Sequence, residues 1–242
     1  FKRKGKEYKR LSEHIGAFPL VMVAPSDSAL ITGASDERRR LVDQVISQSD
    51  PVYLDHLIRY NRALEQRNRM LRDRIVDHTL YEAVEEAMAF SAEYIVEARV
   101  QWAARLQPIF GDYYAAIAGP DEQVKIGYQR PDVPLRDALD HTRRHDEIVG
   151  HTSVGPHRDD LMMEIAGMPV RRVASQGQCK TFTIALRLAQ YDFLHQAANI
   201  KPLLLLDDIF DKLDAKRVER IIELATRPEI GQIFITDTNR DH

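Results

Sequence analysis

Pro202-Leu203-Leu204-Leu205-Leu206-Asp207-Asp208-Ile209-Phe210-Asp211-Lys212-Leu213-Asp214 is the stretch on which the fold turns. Four leucines run without interruption into two acids. A short continuous apolar run is the pattern of a strand buried on both faces. Carboxylates at the C-terminal end of such a strand stand at the edge where open α/β sheets bind ligands. Two adjacent acids there have the chemistry to hold Mg²⁺ and to orient a water. A buried strand followed by a plain polar turn fits the same letters, so the neighbouring segments decide.

Downstream, a helix is predicted over 215–225. It leads to a further apolar strand over 232–235, which ends in Thr236-Asp237-Thr238. Upstream stands Ala174-Ser175-Gln176-Gly177-Gln178-Cys179-Lys180, followed by a helix predicted from Thr181 to about His195 with Ile184, Leu188 and Tyr191 on one face. Ser, Gly and free backbone N–H groups at a helix N-terminus form an anion site, and Lys180 adds a positive charge. Taken alone, Ser175 is only an N-cap.

The rest of the chain supplies two kinds of structure. Ala17 to Val23 is a second short apolar run, read as a buried strand, and Pro25-Ser26-Asp27-Ser28 marks the turn after it. A helix starts at Ser35-Asp36-Glu37, with acids in its first turn as the helix dipole favours. Arg38, Arg39 and Arg40 follow. They point in different directions, so at least one is expected to pair with an acid while others reach phosphate.

From about Val52 to about Phe110 apolar residues recur at spacings of three, four and seven, with a break near Asp77-His78-Thr79. The spacing predicts two antiparallel helices, each roughly 40 Å long at ~1.5 Å per residue. The first carries Arg59, Arg62, Arg67, Arg69, Arg72 and Arg74. A solvated face and a DNA-facing stripe both fit that pattern. Val124 to Tyr128 alternates as a strand, Leu135 to His145 as a helix, and Leu161 to Val173 as a hairpin. Phe1 to Arg10 is basic with Gly5 as a possible turn, which fits a solvated edge hairpin or a phosphate contact.

Bulk properties narrow the class. The 242 residues are 44% hydrophobic and 29% charged, with net charge −3, so any nucleic-acid contact must come from local patches. Cys179 is the single cysteine, which excludes a disulfide within the chain and fits a reducing, cytoplasmic setting. No apolar run approaches the ~18 residues of a membrane span. Phe1 is not a start methionine and the chain opens in mid-pattern, so it is expected to be a fragment of a longer protein.

The order of these segments resembles the signature, Walker B, D-loop and switch segments of the SMC-like branch of ABC ATPases. Ser175-Gln176-Gly177-Gln178 resembles the signature, with Gln176 where glycine is commoner. Leu203 to Asp208 resembles Walker B, and Leu213-Asp214 the D-loop. The finer resemblance is to the RecF family of bacterial DNA repair proteins. It rests on Pro25-Ser26-Asp27-Ser28 with Leu30-Ile31, Arg38-Arg39 and Asp43. Tyr60 to Leu64 with Arg67-Asn68 and Thr152 to Asp160 add to it, so the match reaches from end to end of the chain. Two features depart from the pattern. The Gly-rich phosphate loop ending in Gly-Lys-Ser/Thr is absent, and Asp237 stands where ABC ATPases usually have the switch histidine.

This resemblance implies an α/β fold. A partial ABC-type ATPase lobe, a mostly parallel sheet flanked by helices, would hold an inserted, mainly helical second lobe containing the long antiparallel helix pair. The expected divisions are 1–33 and 149–242 for the two parts of the ATPase lobe and 34–148 for the helical lobe. Asp207 would hold Mg²⁺ and Asp208 would be catalytic. Ser175, Gln176, Gly177, Gln178, Lys180 and Asp214 would contact ATP bound to a partner subunit. Arg38, Arg39, Arg62 and Arg69 would contact DNA. Asp208 replaces the commoner Glu and is one methylene shorter, so slow, switch-like hydrolysis is expected, and none from a chain lacking the phosphate loop. The family further implies roles in DNA replication, recombinational repair and the SOS response. Single- and double-stranded DNA, the mediators RecR and RecO and an ATP-dependent homodimer are the implied partners, with no membrane. A nuclease would need an added metal-ligand domain, and a transporter subunit would lack the helix pair and keep the switch histidine. The acids Asp207, Asp208 and Asp214 speak against a module that has lost ATPase activity.

Overall fold

The computed structural model describes residues 2–3, 6–7, 14–129, 131–211 and 213–237. The expected turn at Gly5, together with Lys212 and Thr238, lies outside the described residues.

Among the described residues three small sheets organise the chain. Strands β1 (Lys2–Arg3) and β2 (Lys6–Glu7) pair antiparallel. Strand β3 (Leu20–Val23) leads through a 3-10 turn (Pro25–Ser28) into helices α1 (Ala29–Thr32) and α2 (Ser35–Ser49). Helices α3 (Pro51–Arg72) and α4 (His78–Ala118) follow. Then come β4 (Val124–Tyr128), α5 (Leu135–Val149), β5 (Leu161–Ile165), β6 (Met168–Pro169) and α6 (Val170–Val173). The chain closes with α7 (Gln176–Ala198), β7 (Leu203–Asp207), α8 (Ala215–Ala225) and β8 (Ile233–Thr236). Strands β3, β7 and β8 form a parallel sheet with β7 in the middle, and β4, β5 and β6 an antiparallel one. Among the described residues no helix is long and apolar enough to cross a membrane.

The leucine run is the central strand of the parallel sheet, but only one of its faces is fully buried. Leu204 and Leu206 are enclosed, whereas Leu203 and Leu205 are half-buried. The register sets Leu20 beside Leu203, Met22 beside Leu205, and Leu205 beside Phe234. Leu20, Met22 and Phe234 are 40%, 43% and 50% exposed, so this whole side of the sheet is apolar and open.

The helix pair is less equal than its periodicity predicts, with the first helix shorter and the second longer. Contacts run in opposite sequence directions, Arg67 with Glu85, His56 with Tyr94 and Tyr53 with Arg99, which makes α3 and α4 antiparallel. Helix α3 has 22 residues and α4 has 41, about 33 Å and 61 Å at ~1.5 Å per residue. Helix α4 continues through Pro108 and Gly111 to Ala118. Phe110, between those breakers, and Tyr114 and Ile117 beyond them are fully buried, and their burial outweighs the local penalty, about 1 kcal/mol for the glycine. Phe110 packs its ring, tilted by 54°, against Phe182 of α7 at 4.6 Å between ring centres, so α4 joins the helix pair to the parallel sheet's main helix.

Other boundaries shift for local reasons. Helix α7 begins at Gln176 rather than Thr181, because Ser175 caps it. Residues 170–173 form the short helix α6, and the hairpin partner of β5 shrinks to Met168–Pro169. Helix α5 runs on to Val149 and stops at Gly150, whose φ of +74° suits a glycine.

Candidate nucleotide and nucleic-acid site

The three parallel strands end together at one edge, and the acids lie there. Asp207 is the last residue of β7 and pairs in register with Thr236 of β8. The Thr236 hydroxyl donates to Asp207 Oδ1 at 2.5 Å. The chain then turns sharply. Asp208 adopts φ +49°, in the left-handed region, and its N–H donates to the Thr236 carbonyl at 3.0 Å. This kink breaks the strand's alternation, so Asp208 does not continue the Leu204/Leu206 side into the core. Asp214 ends the following turn and caps α8, accepting from Arg217 N at 3.0 Å.

The donor chemistry fits Mg²⁺ in part. Mg²⁺ keeps several waters and takes one or two carboxylates together with phosphate oxygens. Asp207 and Asp208 supply two carboxylates, with one oxygen of Asp207 already engaged by Thr236. Among the described residues no group of three or more His, Cys, Asp or Glu could hold a metal by itself. The pair therefore suits a metal completed by water and phosphate.

Ser175-Gln176-Gly177-Gln178 forms a closed cap. Gln178 N donates to Ser175 Oγ at 3.2 Å, and Ser175 N donates to Gln178 Oε1 at 2.8 Å, a reciprocal capping box. Ser175 and Gln176 are exposed. The free N–H groups of this first turn and the Ser175 hydroxyl together offer donors to an anion. Lys180 reaches across to the loop after β7. Its ammonium donates to the Asp211 carbonyl at 2.6 Å, so it braces the loop after β7 against the first turns of α7. Arg187, further along α7, grips Asp27 at 2.5 Å and ties the turn after β3 to the same helix.

The arginines divide sharply. Arg38 is 4% exposed, and its guanidinium is filled by Asp160 at 2.6 and 2.9 Å and by the carbonyls of Leu30 and Gly33. Four of its five N–H donors are thereby engaged, which makes it a bracing residue with little to offer the phosphate contact that the resemblance implies for it. Arg39 is also turned inward, onto Ser35 Oγ and the Asp159 carbonyl, each at 2.6 Å. Arg69 is exposed and pairs with Glu65 at 3.1 Å. Arg62 is exposed and has no ion pair among the described residues. Arg67, from the same helix, is fully buried between Glu85 and Asp146.

Buried arginines also explain the Thr152–Asp160 segment. Arg67 holds the Thr152 hydroxyl at 2.9 Å, Arg99 the Pro156 carbonyl at 2.8 Å, and Arg38 the Asp160 carboxylate. His157 bridges the Tyr60 hydroxyl at 2.7 Å and the Thr152 carbonyl at 3.1 Å. Burial pushes the His157 pKa down to about 4, so the ring is neutral at physiological pH. Asp159 is pushed up by burial, against the opposing pull of its Tyr128 hydrogen bond and of Arg99 and Arg39. The segment is thus a braced polar junction between the helix pair and the rest of the chain, with no metal-binding geometry.

Sequence reasoning passed over three of these residues. Thr236 and Arg187 complete the strand-end edge, and Glu122 accepts from Gln178 Nε2 at 3.0 Å. Nothing in the local sequence marks Glu122, which stands 56 positions from its partner.

A parallel sheet with acids at its C-terminal edge, a capped signature-like helix start and an interposed helix pair define an ABC-type ATPase fold of the SMC-head kind. The SMC head bound to the C-winged helix domain of ScpA has this fold, with a TM-score of 0.51 at 14% identity, over 90% of this chain and 47% of that one. No family model matches the chain. Curated relatives named DNA replication and repair protein RecF match it along its whole length. That of Parabacteroides distasonis is 51% identical over 100% of this chain and 67% of the relative, and that of Phocaeicola vulgatus 50% identical over 100% and 66%. Solved structures of the recombination mediator protein RecF in the RecFOR pathway superpose with TM-scores of 0.87, for RecF-ATPrS, and 0.86, for RecF-ATP. Their identities are 26% and 27%, over 99% and 100% of this chain and 68% of each of theirs. The chain belongs to the RecF family of DNA replication and repair proteins, and it spans about two thirds of the length of these relatives.

Proposed function

We propose that the chain supplies the signature, Walker B, D-loop and switch segments of an ATP-switched dimeric clamp. In the complete protein the clamp would act at gapped or single-strand/double-strand junction DNA and help load recombinase, with RecR and RecO as partners in the cytoplasm. The observation that carries this reading is the strand-end edge, where Asp207, Asp208 and Thr236 meet at the end of a parallel sheet. In this reading 1–33 and 149–242 belong to the ATPase lobe and 34–148 to the helical lobe.

Asp207 would hold Mg²⁺, with Thr236 fixing its carboxylate. Bound there, the metal would neutralise phosphate charge. Asp208 would position the attacking water; water positioning and general-base effects are each worth about 10²–10⁴-fold. Its shorter side chain favours slow hydrolysis, and the chain without a phosphate loop would have none. Ser175, Gln176, Gly177 and Gln178 would cover the γ-phosphate held by the other subunit, and Asp214 would lie at the same interface. Lys180 would act through the Asp211 loop. DNA phosphates would meet exposed arginines of α3, Arg62 and Arg69 among them, with a strong salt dependence. The test is Ser175→Arg in the full-length protein. ATP binding should persist while ATP-driven dimerisation disappears, measured by light scattering with and without ATP. A dimer that forms as before refutes the reading. Asp208→Asn should trap the dimer.

A further inference from the structure

Gln178 is held at both ends of its amide. Its Oε1 accepts from Ser175 N at 2.8 Å, and its Nε2 donates to Glu122 Oε1 at 3.0 Å. Glu122 lies in the short turn between α4 and β4. Its second oxygen accepts from the Tyr114 hydroxyl. Tyr114 is fully buried on α4, in ring contact with Phe110 and with Phe182 of α7. Burial, and then this bond to Glu122, push the Tyr114 pKa up. The groups form one unbroken series: Tyr114 hydroxyl, Glu122 carboxylate, Gln178 amide, Ser175 backbone.

The series has a direction. Tyr114 sits in the last turns of the 41-residue helix that also forms half of the helix pair, and Glu122 follows four residues after that helix ends. A displacement of that end moves Glu122 directly. A carboxylate gripped on both oxygens transmits the displacement to Gln178, because charge-assisted hydrogen bonds are shorter and about twice as strong as neutral ones. Without Glu122 the Gln178 side chain keeps only its bond to Ser175 N, and the half-exposed amide is free to leave it.

We infer that Glu122 is a positioning residue for the Ser175–Gln178 segment, fixing that segment to the end of α4 through Gln178. This rests on the reading of Ser175–Gln178 as the segment that covers a partner subunit's γ-phosphate. Glu122 would not touch nucleotide. It would set how much ATP is needed to close the dimer, and leave the binding of ATP to a single subunit alone.

The experiment uses the full-length protein and compares Glu122→Ala, Glu122→Gln, Tyr114→Phe and Ser175→Arg. Two quantities are read: the ATP concentration at half-maximal dimerisation, by light scattering, and the affinity of the dilute monomer for a fluorescent ATP analogue. Glu122→Ala should raise the dimerisation midpoint roughly tenfold, as loss of a hydrogen bond to a charged group predicts. Monomer affinity should stay within about twofold, below the effect of one such bond. Glu122→Gln should recover part of the shift, since its carbonyl oxygen still accepts from Gln178 though without the charge. Tyr114→Phe keeps the ring and should move the midpoint a few-fold, which preserves the test if the alanine variant does not fold. A wild-type midpoint in Glu122→Ala, or in Tyr114→Phe if the alanine variant is lost, overturns the inference. So does failure of Glu122→Gln to rescue, or a parallel fall in monomer affinity. Ser175→Arg separates the two levels. If it still dimerises with ATP, the signature reading falls and takes this inference with it. If it does not, and Glu122→Ala behaves as wild type, only the role of Glu122 falls.

Discussion

Arg67→Met should destabilise the protein by about 3–5 kcal/mol, the range for removing one partner from a buried ion pair. The side chains of Arg67, Glu85 and Asp146 are all 0% exposed. Arg67 Nε lies 2.9 Å from Glu85, and Nη1 lies 2.8 Å from Asp146. The two acids differ in what would remain. Glu85 keeps Arg143 at 2.6 Å. Asp146 keeps only neutral donors, Ser153 N at 3.1 Å, Ser153 Oγ at 2.6 Å and the weaker Thr142 hydroxyl. One uncompensated buried carboxylate, already hydrogen-bonded, places the loss near the lower end, about 3 kcal/mol. At a urea m-value of about 3 kcal/mol/M, equilibrium unfolding should show the midpoint falling by roughly 1 M. Adding Asp146→Asn to Arg67→Met removes the stranded charge and should recover about half of the loss. A single-variant shift below about 0.3 M, or no recovery in the double variant, would refute the view that Asp146 depends on Arg67.

Three further outcomes follow from the same packing. His157 has its pKa lowered from 6.5 to about 4, so its contribution to stability is complete above about pH 6.5 and is lost as pH falls toward 4. Between pH 7.5 and pH 5, urea unfolding of His157→Gln should therefore lose about 2 kcal/mol less than the parent, and equal losses would contradict the assignment. Gly155 has φ +120°, and a Cβ there would stand 2.5 Å from the Tyr60 hydroxyl. Gly155→Ala should cost about 1–3 kcal/mol in thermal or urea unfolding, with part recovered by Tyr60→Phe. Asp50 caps α3 by accepting from Val52 N and Tyr53 N at 2.9 and 3.0 Å and also accepts from the Tyr94 hydroxyl at 2.8 Å. Asp50→Ala should lower stability by about 1–2 kcal/mol, and a neutral result would show that the cap is dispensable.

Much of the frame was legible because it rests on local pattern. The leucine run is a strand in a parallel sheet, α8 spans 215–225 as its periodicity predicts, and the break between the paired helices falls beside Asp77, which caps α4. The errors are tertiary. A run of leucines cannot say whether both faces find a cover, and here one side of the sheet stays open. Helix α4 outlasts Pro108 and Gly111 because burial of Phe110 and Tyr114 overrides local propensity. The arginines are the plainest case. Arg62, Arg67 and Arg69 look alike along α3, yet Arg67 is enclosed by acids 18 and 79 positions away. Arg38 likewise meets Asp160 across 122 positions. Charge partners at such separations leave no local periodicity, so a solvated face, a DNA stripe and a buried brace share one sequence signature. In the candidate site the acids and the Ser175 cap were readable, whereas Glu122, Arg187 and the bond from Lys180 to the Asp211 carbonyl were not.

The left-handed turn at Asp208 bears on how this site can evolve. Asp and Asn enter the positive-φ region several-fold more readily than other non-glycine residues, because their short polar side chains satisfy the nearby backbone. Glu has no such advantage. A change from Asp208 to Glu, among the shortest mutational steps in the genetic code, would therefore gain reach toward a water but load strain on the turn that aligns β7 with β8. On the proposed reading of Asp208, a lineage holding Asp here would be kept by backbone geometry on the slow side of the chemistry. Leaving it calls for a second change that reshapes the turn.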